Sequence, residues 1–256
     1  MRRVLAAALV LSTLVPGNAW AQAGARGGRG RGAQPPPSPQ AGGSFDPTGY
    51  WVAVVTQDWR FRMAMPPKGD VAGLPVNDAA RKIASNWDPA RDEAAGEQCR
   101  AYGAPNIMRI PGRLHITWRD DHTLQVDTDS GRQTRLFVFA GAAAAPAGAT
   151  EWQGVSTATW EQLPGRRGQM PLTTSLRVVT SGMKPGYLRR NGVPYSARAT
   201  MTEYFDRIAR PDGDSYLIVT TTIEDPEYLT QPYLYSTHFK RQADATGWNP
   251  RPCAVN

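Results

Sequence analysis

The segment RLHITWRDDHTLQVD, residues 113–127, decides the fold class of this chain. Apolar and polar residues alternate on both sides of Asp120-Asp121-His122, a pattern that predicts two antiparallel strands joined by a turn. Similar runs of β-branched and aromatic residues occur before and after it, separated by short segments rich in Gly, Pro and Asp. These runs cover residues 50–56, 135–139, 152–161, 175–181, 199–208, 215–224 and 233–241.

Eight or more strands in succession predict an antiparallel meander that closes on itself as a β-barrel. A barrel of about eight strands has an interior wide enough for one small ligand. One short N-terminal helix is predicted after Asn77, a residue type that caps helices. It ends at Asp88-Pro89, because a proline disfavours helical backbone in the residue before it. The prediction is therefore a mainly β domain with a single helical exception.

The first 21 residues have the organisation of a secretory signal peptide. Arg2 and Arg3 precede an apolar run at 4–15, and Ala19-Trp20-Ala21 supplies the small residues that a signal peptidase accepts. The run is too short to anchor the protein in a bilayer, so no integral membrane segment is expected after cleavage. We therefore expect a periplasmic or secreted protein with a signal peptide at 1–21, a disordered Gly/Arg/Pro tether at 22–44 and a single β-barrel domain at 45–256.

The positive charge of the chain lies mostly in its N-terminal part. The formal net charge is +7, but residues 1–44 contain five arginines and no acidic residue, which leaves +2 for the remainder. A nucleic-acid-binding domain carries its basic residues on the folded surface. We therefore expect no nucleic acid among the partners of this protein.

The chain contains two cysteines, Cys99 and Cys253. An exported protein meets an oxidising environment, in which an even number of cysteines favours disulfide formation. We predict a Cys99–Cys253 disulfide that fastens the C-terminal segment. Two cysteines without a matching histidine cluster are a poor zinc site, so no metal is expected.

Five strings in the chain carry a family resemblance: EQCRAYGAPNIMRIPGRLHITW at 97–118, GYLRRNGVPYS at 186–196, TEYFDRI at 202–208, DPEYLTQPYLYSTHFKR at 225–241 and WNPRPC at 248–253. Their order resembles that in a widespread family of secreted, mostly uncharacterised bacterial proteins, over about residues 46–253. This resemblance implies a lipocalin-like (calycin-type) β-barrel. A more distant kinship with bacterial lyases of lignin-derived aromatic dimers implies a lyase-type reaction.

Candidate catalytic residues are titratable side chains on predicted strands and on one tyrosine-rich connection, GYLRRNGVPY. There, Tyr187 is a candidate proton donor and Arg189 a candidate for holding a carboxylate, with packed or solvated rim positions as the alternative. Glu203 is a candidate acid or base if it points into the barrel, and a surface ion-pair partner if it points outward. His238 and His115 are candidate bases on strands, with a structural surface role as the alternative.

The chain contains no G-x-S-x-G, H-E-x-x-H, Walker or Rossmann motif, and we expect no cofactor. Placed acids and bases alone support lyase, isomerase or dehydratase chemistry. We therefore expect a cofactor-independent enzyme that acts on a small apolar or aromatic molecule, such as a lignin-derived one, inside the barrel. The alternative is a non-catalytic periplasmic protein that binds a hydrophobic small molecule. The candidate ligand-binding residues are Trp118, Tyr195, Tyr204 and Tyr235.

Overall fold

The computed structural model describes residues 37–141, 151–163 and 172–255. The predicted signal peptide lies outside these residues, as does the part of the predicted tether before residue 37. Within the described ranges, no helix is long and apolar enough to cross a membrane.

The described residues are organised around a closed β-barrel, as the sequence predicts. The strands are β1 Gly49–Val54, β2 Arg113–Asp120, β3 Thr123–Thr128, β4 Ser130–Gly131, β5 Thr134–Phe139, β6 Val155–Leu163, β7 Leu172–Ser181, β8 Gly186–Arg189, β9 Val193–Tyr195, β10 Thr200–Ala209, β11 Ser215–Glu224, β12 Tyr233–Gln242 and β13 Arg251–Pro252. Nine of them form the barrel in the order β1-β12-β11-β10-β7-β6-β5-β3-β2. The mainly β class and the barrel are thus confirmed, and the architecture is consistent with a lipocalin-like barrel.

The barrel is mixed, and the expectation of an all-antiparallel barrel is wrong at one place. Strands β5 and β6 pair in parallel, with Phe137 opposite Ser156 and Phe139 opposite Ala158. A closed ring of nine strands contains nine adjacent pairs, which is an odd number, so the strand direction cannot alternate all the way round. One parallel pair is the smallest departure that closes such a ring.

The prediction of one helix is also wrong, because several short helices lie between β1 and β2. Asn77 does cap the predicted helix, since its side chain accepts a hydrogen bond from the Ala80 N–H at 3.0 Å. Asp88 and Pro89, which end that helix, also begin the next one as its N-cap and first residue. The helices are α1 Trp59–Met63, α2 Asp78–Asn86, α3 Pro89–Ala94, a 3₁₀ helix at Gln98–Tyr102 and α4 Ala104–Ile107.

One end of the barrel is covered by what we call the cap, residues 59–110 together with 186–195. Met108 of the cap is fully buried in the same apolar cluster as Trp51 of β1 and Leu114 of β2. The Tyr235 hydroxyl, near the start of β12, donates a hydrogen bond to the Pro105 carbonyl at 2.9 Å. The cap is therefore continuous with the barrel core.

The tyrosine-rich connection predicted at the barrel mouth is a buried hairpin within the cap. Strands β8 and β9 pair antiparallel, and every residue of both strands is buried. Gly192 in its turn has a φ of +82°, and an added Cβ there would overlap the ring of Trp87. The hairpin thus needs glycine both for its backbone conformation and for its close approach to α2.

The predicted disulfide is confirmed. Cys99 in the 3₁₀ helix of the cap is bonded to Cys253, and their Cα atoms are 5.1 Å apart. Cys253 follows β13, which pairs in parallel with β4 beside the barrel. The bond therefore joins the C-terminal segment to the cap.

The folded part of the chain begins earlier than residue 45. The Trp160 indole N–H donates to the Pro39 carbonyl at 2.8 Å, and the ring of Phe45 packs edge-on against Trp160 at 5.2 Å between centroids. Residues 37–44 accordingly belong with the barrel and not with the tether, because a hydrogen bond and an aromatic contact hold them there.

Candidate functional site

A cavity of about 590 Å³ lies in the cap, outside the barrel strands. Helix α2, helix α3 and the β8–β9 hairpin form its walls, and the segment after β11 closes one side. Its aromatic and aliphatic lining includes Ile83, Trp87, Tyr187, Pro194, Tyr195 and Tyr228. A cavity of this size and character is typical of small-molecule sites.

A buried carboxylate, Asp92 of α3, organises the floor of this cavity. Its Oδ2 atom accepts hydrogen bonds from the Trp87 indole N–H at 2.9 Å and from the Tyr187 hydroxyl at 2.8 Å. Its Oδ1 atom accepts one from the Arg100 guanidinium at 2.9 Å. The carboxylate is only 5% exposed, so these three donors replace water as its solvation.

Tyr187 is held in its neutral form by its surroundings. Burial raises the pKa of Tyr187, and its hydrogen bond to Asp92 raises the pKa further. The Arg100 guanidinium lies over the ring at 4.8 Å, and the edge of Trp87 contacts it at 6.3 Å between centroids. The neutral phenol therefore donates a hydrogen bond to Asp92, and its oxygen can still accept a hydrogen bond from another donor.

Tyr195 lies beside Tyr187 in the cavity wall, and its hydroxyl is buried. No described residue accepts or donates a hydrogen bond to that hydroxyl, and burial raises the pKa of the phenol. An added Cβ at Gly103 would overlap the hydroxyl oxygen, and one at Gly186 would crowd it. Two glycines thus make the room that the Tyr195 side chain occupies.

Arg189 and Tyr235 lie away from this cavity, Arg189 within the cap and Tyr235 where β12 meets it. Arg189 is buried with its guanidinium 4.0 Å above the ring of Phe61. The Tyr235 ring lies under the Arg109 guanidinium at 4.9 Å, and burial raises the pKa of this phenol. Neither Arg189 nor Tyr235 lines the 590 Å³ cavity of the cap.

Glu203 points into the barrel and is also paired with an arginine, which combines the two alternatives posed from sequence. Its Oε1 and Oε2 atoms accept hydrogen bonds from Arg135 of β5 at 3.0 and 2.5 Å. Both side chains are fully buried. Arg135 also donates to the Thr180 hydroxyl at 3.2 Å and stacks over Phe137. This pair crosses the barrel interior, where apolar side chains pack around it.

Three other sequence-predicted residues lie on the outer side of the barrel sheet, as the alternation of β12 and β2 indicates. His238 Nδ1 is 2.9 Å from the Thr56 hydroxyl, and partial burial together with Arg62 lowers the pKa of its imidazole. His115 stacks on Tyr50 at 4.1 Å between ring centroids. Tyr204 lies on the partly exposed face of β10.

Trp118 lies at the other end of β2, away from the cap. Its partly buried ring is 5.6 Å from that of Phe139. Of the nine predicted catalytic and ligand-binding residues, the structure therefore brings only Tyr187 and Tyr195 together in the 590 Å³ cavity of the cap.

Sequence reasoning missed Asp92, Trp87 and Arg100, which surround Tyr187. They occur in a polar, helical stretch with no pattern that marks them as buried. Arg135 did have a signal, because alternation along β5 places it on the same face as Phe137.

Among the described residues, no group of three or more His, Cys, Asp or Glu side chains is arranged to hold a metal ion. Comparisons with family models, with curated proteins and with solved structures found no match to this chain. The family resemblance stated from the sequence stays an expectation.

Proposed function

We propose that this protein binds a small apolar or aromatic molecule in the cap cavity, outside the cytoplasm. The observation that carries this proposal is a cavity of about 590 Å³ whose walls include Trp87, Tyr187, Tyr195 and Tyr228. Aromatic walls bury a large apolar area of a flat ligand, and their polar tips can orient it. The proposal moves the ligand from the barrel interior to the cap, because inward-facing side chains pack together inside the barrel.

Binding is favoured over catalysis because the buried carboxylate of the cavity is already paired with side-chain donors. Asp92 already accepts hydrogen bonds from three side chains. Burial raises the pKa of Tyr187 and of Tyr195, which moves both phenols further from neutral pH. A general acid or base works best with a pKa near the working pH.

The predicted signal peptide and the Cys99–Cys253 disulfide support an extracytoplasmic location. A carrier of hydrophobic compounds in the periplasm needs no organic cofactor and no chemical step. The absence of a required chemical step fits a cavity whose buried carboxylate already accepts hydrogen bonds from three side chains.

Binding can be tested by calorimetric titration of the purified mature protein with guaiacol, a small lignin-type phenol, and with naphthalene-type compounds. Ile83 lines the cavity, so Ile83→Trp should occupy part of its volume and weaken binding about tenfold or more by obstructing the ligand. Ile208 on β10 is a similarly exposed isoleucine away from the cap, and Ile208→Trp is the control. Equal affinity of the two variants would contradict a ligand in the cap cavity.

A cofactor-independent lyase, isomerase or dehydratase is the second candidate. The observation in its favour is that Tyr187, Asp92 and Arg100 contact one another and all line the cavity. A ligand recovered unchanged after long incubation supports the carrier. Conversion of the ligand that is lost in both Tyr187→Phe and Asp92→Asn supports the enzyme.

A further inference from the structure

A second site in the cap is formed by three arginines that are almost completely buried. Arg62 of α1, Arg109 after α4 and Arg189 at the end of β8 are each 3% exposed. All three line a small cavity of about 10 Å³, which is room for one water-sized group. None of the three arginines lines the 590 Å³ cavity of the cap, so this site is separate from the proposed ligand site.

These arginines have donor atoms that the described residues do not satisfy. Arg62 Nη2, Arg189 Nε and Arg189 Nη1 are buried, and none has a hydrogen-bond partner among the described residues. Arg62 uses its Nε atom to donate to the Arg109 carbonyl at 2.8 Å. Buried N–H groups are normally paired, so three unpaired ones in adjacent guanidiniums indicate a missing acceptor.

The charges of this cluster are also unbalanced. Among the described residues, only Asp58 forms an ion pair with any of the three, and it contacts Arg109 at 3.0 Å. The nearby Asp70 pairs at 4.0 Å with Arg60, which is largely exposed. A buried charge without a partner is costly, and an anion seated among the guanidiniums would offset that cost.

The surrounding aromatic rings hold the guanidiniums in place for such an anion. Arg189 lies over Phe61, and Arg109 lies over Tyr235 and Tyr233 at 4.9 and 5.8 Å. Burial, followed by the proximity of Arg109, lowers the pKa of Arg62 to about 10, so its guanidinium stays charged at neutral pH. Stacking covers the faces of the guanidiniums and leaves their N–H edges to bind a ligand.

We propose that Arg62, Arg109 and Arg189 form a binding site for a carboxylate, either a small free acid or the acidic end of a longer molecule. Two oxygens of a planar carboxylate match the fork of an arginine, and one carboxylate oxygen is about the size of the single water-sized group that the small cavity holds. Phe61 and Ile110, which also line the cavity, offer apolar contact to the carbon that bears the carboxylate.

Calorimetric titration of the purified mature protein at constant ionic strength tests this site, with sodium formate, sodium acetate, sodium chloride and sodium phosphate as probes. Saturable binding of formate and acetate is expected. Formate binding without acetate binding would assign the site to the smallest free acids, and binding of both would admit longer molecules. Binding of chloride or phosphate alone, or of no probe, would overturn the proposal.

Two variants with the same change of charge locate the site. Arg189→Gln should weaken acetate binding about tenfold or more, because it removes a charged bidentate donor. Arg60→Gln, in the same helix as Arg62 but with a side chain that is 70% exposed, should leave the affinity unchanged. Equal losses of acetate affinity in both variants would show that binding depends only on general electrostatic attraction, and would overturn the proposal.

A third variant keeps the test decisive if Arg189→Gln does not fold. Asp58→Asn removes the carboxylate that competes for Arg109, so acetate affinity should rise by about threefold or more. A purely structural arginine cluster would gain no affinity from this change. Unchanged or weaker acetate binding in folded Asp58→Asn protein would overturn the proposal.

Discussion

The barrel interior and the cap both bury arginines, but the two regions differ in how the positive charge is balanced. In the barrel, Arg135 meets Glu203 in a two-pronged ion pair with both side chains fully buried. In the cap, Arg62 and Arg189 have no carboxylate partner among the described residues, and Arg109 has only Asp58. The charge of Arg135 is balanced by a carboxylate, although its Nε atom has no hydrogen-bond partner among the described residues. A buried charge without a carboxylate partner lowers stability until an anion binds.

The two regions also differ in their tyrosines. Burial raises the pKa of Tyr187, Tyr195, Tyr233 and Tyr235, and all four lie in the cap or where β12 meets it. The cap and the adjoining part of β12 therefore concentrate phenols whose ionisation is suppressed, and two of them, Tyr187 and Tyr195, line the cap cavity. The barrel supplies the packed support on which these groups are held.

The largest expected difference between the two regions comes from replacing one arginine in each region by methionine. Arg135→Met should lower the free energy of unfolding by about 3–5 kcal/mol, because it leaves Glu203 buried without a partner. Arg189→Met should change it by less than about 1 kcal/mol, since it removes a charge that no carboxylate balances in the described part of the chain. Urea unfolding followed by tryptophan fluorescence measures both.

The control for the barrel variant is Arg135→Met combined with Glu203→Leu. Removing both charges should restore most of the lost stability, because an apolar pair of similar volume is often as stable as a buried ion pair. Equal losses in the two single arginine variants would show that the barrel and the cap do not differ in this way.

The next largest effect concerns the covalent link between the C-terminal segment and the cap. Replacing Cys99 and Cys253 together by serine should lower the free energy of unfolding by about 2–4 kcal/mol, because the unfolded chain gains freedom. Mass spectrometry of exported protein, alkylated without reduction, should detect no free thiol. Two free thiols would contradict the bond.

Alkaline pH should weaken the cap through its tyrosines. A phenol with a raised pKa stays protonated in the folded state while the unfolded state loses its proton above about pH 10. Its stabilisation is therefore complete below that pH and is lost as the pH rises towards the folded pKa, by about 1.4 kcal/mol per unit for each tyrosine. Denaturant unfolding at about pH 9 and about pH 11 should show the loss.

Tyr187→Phe and Tyr195→Phe should each make this pH dependence shallower, because each removes one such phenol. Tyr204→Phe, on the outer face of β10, is the matched change in the barrel. A pH dependence that none of the cap variants alters would contradict the role of these tyrosines.

The smallest effect is expected at the N-terminal segment. Deleting residues 22–44 removes the hydrogen bond between Trp160 and Pro39, so the free energy of unfolding should fall by about 1 kcal/mol. Deleting residues 22–36 alone should leave it unchanged, because their composition predicts a tether without buried area. The two deletions compared by thermal unfolding locate the start of the folded domain. Identical melting temperatures would contradict a contribution from residues 37–44.

Local pattern in the sequence predicted the barrel strands and their faces well. Alternation along the sequence puts Glu203 on the same face as Phe205 and His238 opposite Tyr235, and the burial of β10 and β12 follows this pattern. The short helices α1, α3 and α4 escaped prediction because four to six residues are too few to show a helical period. The candidate site was predicted in part: Tyr187 and Tyr195 lie in the cavity, whereas Asp92 carried no local signal.

The sequence by itself determined the approximate positions of the barrel strands, the residues that share a strand face, and the disulfide partners, because each follows from neighbouring residues or from a count of two cysteines. Only the tertiary structure decided which strands pair in parallel, that Arg135 meets Glu203 across the barrel, and that Asp92 binds Tyr187. These contacts join residues 68 and 95 positions apart, and local pattern holds no information on such distances. The tertiary structure also decided which arginines of the cap lack a carboxylate partner among the described residues, because charges far apart in the sequence meet only once the chain has folded.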